Sequence, residues 1–592
     1  MGKEKASVPS ASLADSASVI AGVIGPTIAK GVLVRRPKIV AIAERLDLDG
    51  GAVKRMQKLR RRYGDGPLRV RMPGPPRVLI LSDRDLRRVL DQTPEPFAAA
   101  SSEKKAALAH FEPKVALASH GPAREDRRRF NERALETDTP IHSMAESFVE
   151  IIEAEADLLL READRAGELN WELFFQAWYR VVRRIVLGDG ARDDDELTDM
   201  LADLRARGNW AFFRSKAKKQ RDRFHRRLSM HIERGESGSL AERINALPKS
   251  PITHPSHQVA QWLFAFDPGG MATFRALAML AVHREEYERA KEEATTAARP
   301  ALLPLLRGSL LESLRLWPTT PGILRETTRE TEWENGYLPA ETGITIYAPY
   351  FHRDETQIEF AHRFVPHIWV EGDPAERFPL VPFSRGPGVC PASDFVPMVA
   401  SHMLAALLSR RRFRVVSHDL SPNRDLPGLL DGSRSLIVEA EAAQAWTAEL
   451  DGFRLLPPGV RLSQLIGRTE FEMALSLMPD FSREQIERLK PWAVLAVLEA
   501  RGERPGGDGL DGGIVAAAQA RGLPLLTLET LEDQLRALDC VHYGEQARVL
   551  EERLKAPWLL REMSDRALRH YHDRNLPGWL ADVDRMIGLG PE

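Results

Sequence analysis

From about Ile141 to Met279, apolar residues recur at three- and four-residue spacing with Gly or Pro at the breaks. That is the stripe of successive amphipathic helices, so the chain is expected to be mainly α. Strand signals are short. Pro67–Met72 and Val78–Leu81 flank the turn-prone Pro73-Gly74-Pro75-Pro76, and further strand-like text follows Pro318 and covers Gly343–Ala348, which predicts small β-sheets. The Ser/Ala-rich start reads as a mobile segment over 1–34, followed by a main domain over 35–440. Pro/Gly/Asp-rich text at 422–435 precedes a linker near 439–452, and 453–592 reads as a separate, mostly helical C-terminal domain.

Composition removes several functions. Lys plus Arg 83 against Asp plus Glu 85 gives a net charge of −2, with no basic excess for nucleic acid. Two cysteines, Cys390 and Cys540, cannot build a disulfide framework, and the expected compartment is the reducing cytoplasm. The apolar stretch Ser16–Val34 is broken by Gly22, Gly25, Pro26, Lys30 and Gly31, so no membrane span is expected.

Chemistry concentrates around Phe383-Ser-Arg-Gly386-Pro-Gly388-Val-Cys390-Pro391-Ala392. A Gly/Pro loop can fold tightly around sulfur, and the helix-like run Phe395, Val399, Met403, Leu407 that follows would aim its N-terminus at the thiol. Such surroundings lower a thiol's pKa and suit a metal-binding thiolate; a buried apolar cysteine beside a turn fits the same text. Upstream, Glu312-Ser-Leu-Arg315 puts a carboxylate and a guanidinium on one helix face before Trp317-Pro318. Between the two lies Phe360-Ala-His-Arg363-Phe364-Val-Pro366, with a second Arg for the same carboxylate.

In this order, the E-x-x-R pair, the R-F-x-P element and the F-x-x-G-x-x-x-C loop resemble the cytochrome P450 family over residues 35–440. The resemblance implies the cytochrome P450 fold and haem b held by the Cys390 thiolate, with Phe383 and Gly386 in the haem-binding loop. It also implies a structural triad of Glu312, Arg315 and Arg363. Two positions depart from the family pattern: Gly388 replaces its Arg or His, and Ala392 replaces its Gly.

The family's long, interrupted helix matches 258–277, where Pro268 removes a donor and Gly269-Gly270 follow, so the helical ladder is expected to open. Gly270 and Thr273 resemble its G-x-x-T element, whose hydroxyl assists proton delivery. The acid usually beside that Thr is Ala272, which leaves Asp267 as the nearest carboxylate. For the haem propionates the resemblance offers His120 and Arg124, Arg325, and His352 in compensation for Gly388.

Other signals carry less. Arg214–Arg227 packs eight Lys/Arg into fourteen residues after Trp210, Phe212 and Phe213; it reads as a solvated helix face, or as a rim for anionic substrates or a membrane surface. Gly507-x-Gly509-x-x-Gly512 follows no strand and reads as a turn, and His254 and His257 read as loop or capping residues. In the C-terminal domain, Lys490-Pro491-Trp492, Leu528-Glu-Thr-Leu-Glu-Asp-Gln534 and Arg574-Asn575-x-x-x-Trp579 resemble part of the TraB/GumN family without its G-x-x-H elements.

The function so implied is a haem-thiolate monooxygenase acting on a small organic substrate. The sequence has no flavin or iron–sulfur motif, so its electrons are expected from a separate ferredoxin or flavodoxin and a flavin reductase. The alternatives are a peroxide-using or rearranging haem-thiolate enzyme, or an interaction protein recruiting a partner through its C-terminal domain.

Overall fold

The computed structural model describes residues 6–212, 214–415, 420–422, 424–430, 437–442, 455–457, 459–478, 482–502 and 543–555. Cys540, the Gly507–Gly512 run, the 528–534 segment and Arg574–Trp579 lie outside the described residues. The chain divides into two compact units, Met1–Ala443 and Gln444–Glu592.

In the first unit the helices are α1 (Leu13–Val19), α2 (Gly25–Ala29), α3 (Pro37–Arg45), α4 (Leu48–Tyr63), α5 (Asp83–Asp91), α6 (Ser102–Leu108), α7 (Gly121–Leu135), α8 (Ala145–Ala166) and α9 (Trp171–Leu187). There follow α10 (Asp195–Gly208), α11 (Lys218–Arg234), α12 (Leu240–Ala246), α13 (Pro255–Val282), α14 (Arg284–Thr296), α15 (Pro304–Leu316), α16 (Ala348–His352) and α17 (Phe395–Leu408). The largest core joins α8, α9, α13, α15 and α17. α17 is buried along its whole length, and apart from Ser401 and His402 it is apolar all round, not striped.

The β-structure is small. Strands β1 (Leu68–Val70) and β2 (Arg77–Leu79) pair antiparallel across the Pro73–Pro76 turn, with Leu68 opposite Leu79. With β3 (Phe97–Ala98), β5 (Gly322–Thr327) and β8 (Gly343–Tyr347) they form a sheet ordered β1-β2-β8-β5-β3, while β4 (Leu169–Asn170), β6 (Thr331–Trp333) and β7 (Gly336–Leu338) lie outside it. This sheet has its own apolar core and carries Arg325 on β5.

The expected mobile start is not what residues 6–34 form. α1 is capped by Ser12, whose Oγ accepts from the Asp15 amide, and Tyr63 donates to Asp15. Lys30 is 1% exposed and ion-paired with Asp49 at 2.5 Å; burial pushes its pKa down against that attraction. A buried ammonium needs such a partner, so Asp49, supplied by α4, fixes the segment.

In the second unit, short helices at 462–465, 468–477, 483–487, 491–502 and 543–555 surround a separate core that includes Phe471, Ile486 and Leu550.

Candidate active site

Glu312 and Arg315 have no exposed side-chain surface and pair twice, at 2.6 and 2.8 Å. Their spacing on α15 makes the pair local, and the surrounding backbone completes it. Arg315 donates to the carbonyls of His352, Ala361 and Arg363, while Glu312 accepts from the Val365 amide and the Trp369 indole. The pair therefore locks the 360–369 segment onto α15. Arg363 enters only through its carbonyl, because its side chain is exposed; the expected third member is corrected to Trp369.

The cysteine loop is built against α5, α7 and β5. Cys390 N–H donates to Phe383 O at 2.9 Å, which closes the loop. Gly386 has φ +63, and a Cβ there would stand 2.7 Å from Leu90 O on α5. Arg124 donates to Pro387 O, and Arg128 donates to Val389 O. Burial pushes the Cys390 thiol up, against the Ala392 amide and the Arg128 charge, which pull it down. Without a metal the expected lowering is thus outweighed by desolvation.

Three cations beside this loop, Arg124, Arg325 and Lys104, have no ion-paired carboxylate among the described residues. Arg325, 3% exposed, donates to Thr93 Oγ1 and Ser384 Oγ; burial, then the neighbouring Arg124 charge, pushes its pKa down to about 10. Among the described residues Lys104 on α6 donates only to the Ala99 and Leu324 carbonyls, and burial with Arg325 drives it well below the usual lysine range. His120 occupies the N-cap position of α7, one turn before Arg124, without a side-chain capping hydrogen bond. Among the described residues no carboxylate is ion-paired with Arg124, Arg325 or Lys104. Crowding these charges is unfavourable until an anion arrives.

Helix α13 runs unbroken through Pro268, and the Trp178 indole of α9 donates to Phe266 O at 2.8 Å. Gly270 packs on the same indole, 2.8 Å from where its Cβ would be. A Cβ on Gly269 would lie 3.0 Å from Val396 of α17. Thr273 is one turn further along this face, fully buried, with its hydroxyl donated to Gly269 O at 2.8 Å. The partly accessible residues Gln261, Phe264, Ala265, Pro268 and Met271 form the opposite stripe. Phe264 meets Phe111, in the segment between α6 and α7, edge-on at 5.9 Å. Beside this stripe Asp267 accepts from Arg205 at 2.6 Å, and Arg205 lies 4.3 Å over the Phe264 ring.

Residues 265–438 match the family model described as cytochrome P450, and 423–586 match that of the TraB/PrgY/gumN family. The chain carries a cytochrome P450 domain. The curated relatives it matches include cytochrome P450 monooxygenase buaD of Petromyces alliaceus, 26% identical over 29% of this chain and 37% of that protein. Cyclooctat-9-en-7-ol 5-monooxygenase of Streptomyces melanosporofaciens is 33% identical over 23% of this chain and 30% of that protein. The chain thus spans about a third of the length of these relatives. Among solved structures, retinoic acid bound cyanobacterial CYP120A1 superposes with TM-score 0.53 at 17% identity, covering 65% of this chain and 93% of that one. A zebra fish cytochrome P450 structure with progesterone gives 0.52 at 18%, covering 66% and 99%. The fold is that of a cytochrome P450.

The P450 cofactor, haem, fits the residues present. A thiol stands at the end of a closed glycine loop, and cations beside it without an ion-paired carboxylate among the described residues suit a dianion such as two propionates. Gly388 is closely flanked: a Cβ there would lie 3.0 Å from Arg325 Nη2 and 3.1 Å from Thr93. His352 does not compensate. It is fully buried, its Nε2 accepts from the Val381 amide, and burial with Arg315 beside it lowers its pKa to about 3. It is a neutral structural group, and its expected propionate role is withdrawn. Lys104 was missed, because Ser101-Ser-Glu-Lys-Lys105 reads as an ordinary helix start. Thr273 and Gly270 lie in the α9–α13–α17 contact and not on the accessible stripe, which corrects their expected place; Asp267 borders that stripe.

Proposed function

We propose that the chain is a haem-thiolate oxygenase that inserts one oxygen atom into a small organic substrate, with electrons from a separate ferredoxin or flavodoxin and flavin reductase. The observation that carries the reading is the cluster of Arg325, Lys104 and Arg124, without a paired carboxylate, against the Cys390 loop. Bound there, haem supplies the iron centre for activating dioxygen or peroxide. The Cys390 thiolate would hold the iron, and Arg325, Lys104, Arg124 and His120 would bind the propionates. Glu312 and Arg315 hold the segment that precedes the cysteine loop, which keeps the sulfur in register. Asp267, oriented by Arg205, is the carboxylate beside the accessible stripe of α13 and the group placed to relay protons there.

A peroxide-using reading has one specific support: Pro268 occupies the accessible stripe, while the Thr273 hydroxyl is buried and spent on Gly269 O. Turnover of a small apolar substrate panel with NAD(P)H, reductase and ferredoxin, against hydrogen peroxide alone, separates the two. Product only with the electron-transfer partners supports the monooxygenase; product only with peroxide supports the alternative.

A further inference from the structure

Glu112, between α6 and α7, has no exposed surface, and among the described residues neither of its carboxylate oxygens has a hydrogen-bond partner. A buried carboxylate without donors is costly, and a folded chain seldom keeps one. Its segment is not loose. From α11, Arg221 Nη1 donates to Ala109 O at 2.9 Å and His225 Nε2 donates to Phe111 O at 2.6 Å, while Gln258 of α13 accepts from the Ala116 amide and donates to Lys114 O. Residues 109–116 are therefore pinned on both sides of Glu112, and its carboxylate is left inside without a donor.

This place borders the accessible stripe of α13. Phe111, the residue before Glu112, meets Phe264 of that stripe edge-on at 5.9 Å, and Arg205, 4.3 Å over the same ring, is the charge that acts on Glu112. Arg205 is already engaged. Its Nη2 donates to Asp267 at 2.6 Å and to Leu33 O at 2.7 Å, and among the described residues no ion pair joins it to Glu112. Two carboxylates thus share one guanidinium. His110, fully buried two residues away, adds no charge at neutral pH, since burial lowers its pKa. Burial likewise pushes the Glu112 carboxyl well above the usual carboxylate range, against the pull of Arg205; a second cation beside it would restore the charged form.

We propose that Glu112 anchors a cationic substrate, an organic base whose protonated amine donates to the Glu112 carboxylate while its apolar body lies along Phe111 and Phe264. A protonated amine brings both the donor and the charge that the site lacks, an alcohol brings only the donor, and a carboxylate brings neither. The inference rests on the oxygenase reading and names the substrate class which that reading leaves open.

The test is isothermal titration calorimetry of the full haem-loaded chain at neutral pH with N,N-dimethyloctylamine, octanol and octanoate, which carry similar apolar chains and differ in head group. The amine should bind about tenfold or more tightly than octanol, with octanoate weakest. Glu112→Gln, uncharged and of the same shape, should lower the amine affinity about tenfold or more and leave that of octanol within about twofold. An amine that binds no more tightly than octanol, or whose binding survives Glu112→Gln, overturns the proposal; nitrogen ligating the iron directly would give the second result. So does a Glu112→Gln variant that loses all three probes alike, since Glu112 would then hold the fold and not the substrate. The carbon monoxide spectrum of the same preparation decides the haem reading separately, so failure of one is told from failure of the other.

Discussion

The Cβ that Gly388 lacks would lie 3.0 Å from Nη2 of Arg325: β5 delivers a guanidinium directly against the bare loop residue. Arg325→Gln should keep the fold but release haem to apomyoglobin roughly ten to a hundred times faster, the loss of a charge-assisted contact worth about 1.5–3 kcal/mol. Gly388→Arg in the Arg325→Gln background should recover part of that retention, while Gly388→Arg alone should crowd Arg325 and weaken it.

Glu312→Gln leaves Arg315 buried and unpaired. The expected cost is about 3–5 kcal/mol, read as a lower midpoint in urea unfolding. Arg363→Ala, at an exposed side chain, should stay within about 0.5 kcal/mol of the parent. Trp369→Phe removes one donor to Glu312 and should cost about 1 kcal/mol.

How far these groups were legible depends on the distance over which the pattern acts. Glu312 and Arg315 are three residues apart on one helix, so their pairing follows from local geometry. The third partner does not, because Trp369 reaches Glu312 through a meander whose path no periodicity encodes. On α13 the text Gly269-Gly270-x-x-Thr273 has the right local form, but Trp178 of α9 and Val396 of α17 set which side of the helix is covered. The register of the stripe is a tertiary fact. In the same way, Ser/Ala-rich composition at the start hides Lys30, whose partner Asp49 is nineteen residues away.

Proton handling on α13 should follow that register. Thr273→Ala is expected to leave product formed per NAD(P)H consumed unchanged, since the hydroxyl is donated to Gly269 O within its own helix. Asp267→Asn should lower it about tenfold or more, in the range of general acid–base assistance, with haem content as the control for folding.

Three histidines, His352 fully buried and His225 and His257 half-buried, predict an acid-side loss of stability. The pKa values of His352, His225 and His257 are lowered to about 3, 4 and 2, chiefly by burial. Each is neutral when folded and takes its proton more readily when unfolded, so the stability it contributes is full above about pH 6.5 and is lost as pH falls through the folded value. Each adds a slope of up to about 1.4 kcal/mol per pH unit between those limits. His352→Gln, which can still accept from the Val381 amide, should flatten the slope of urea-unfolding free energy against pH between about 6 and 4.

The central claim is that Cys390 gives a thiolate to haem iron within this cation-lined loop. The visible spectrum of the reduced protein under carbon monoxide reports that ligand directly. The parent chain should show the strongly red-shifted Soret band of a thiolate-ligated haem, Cys540→Ser should keep it, and Cys390→Ser should lose it. A parent protein that binds no haem, or a Cys390→Ser variant that retains the shifted band, would contradict the assignment.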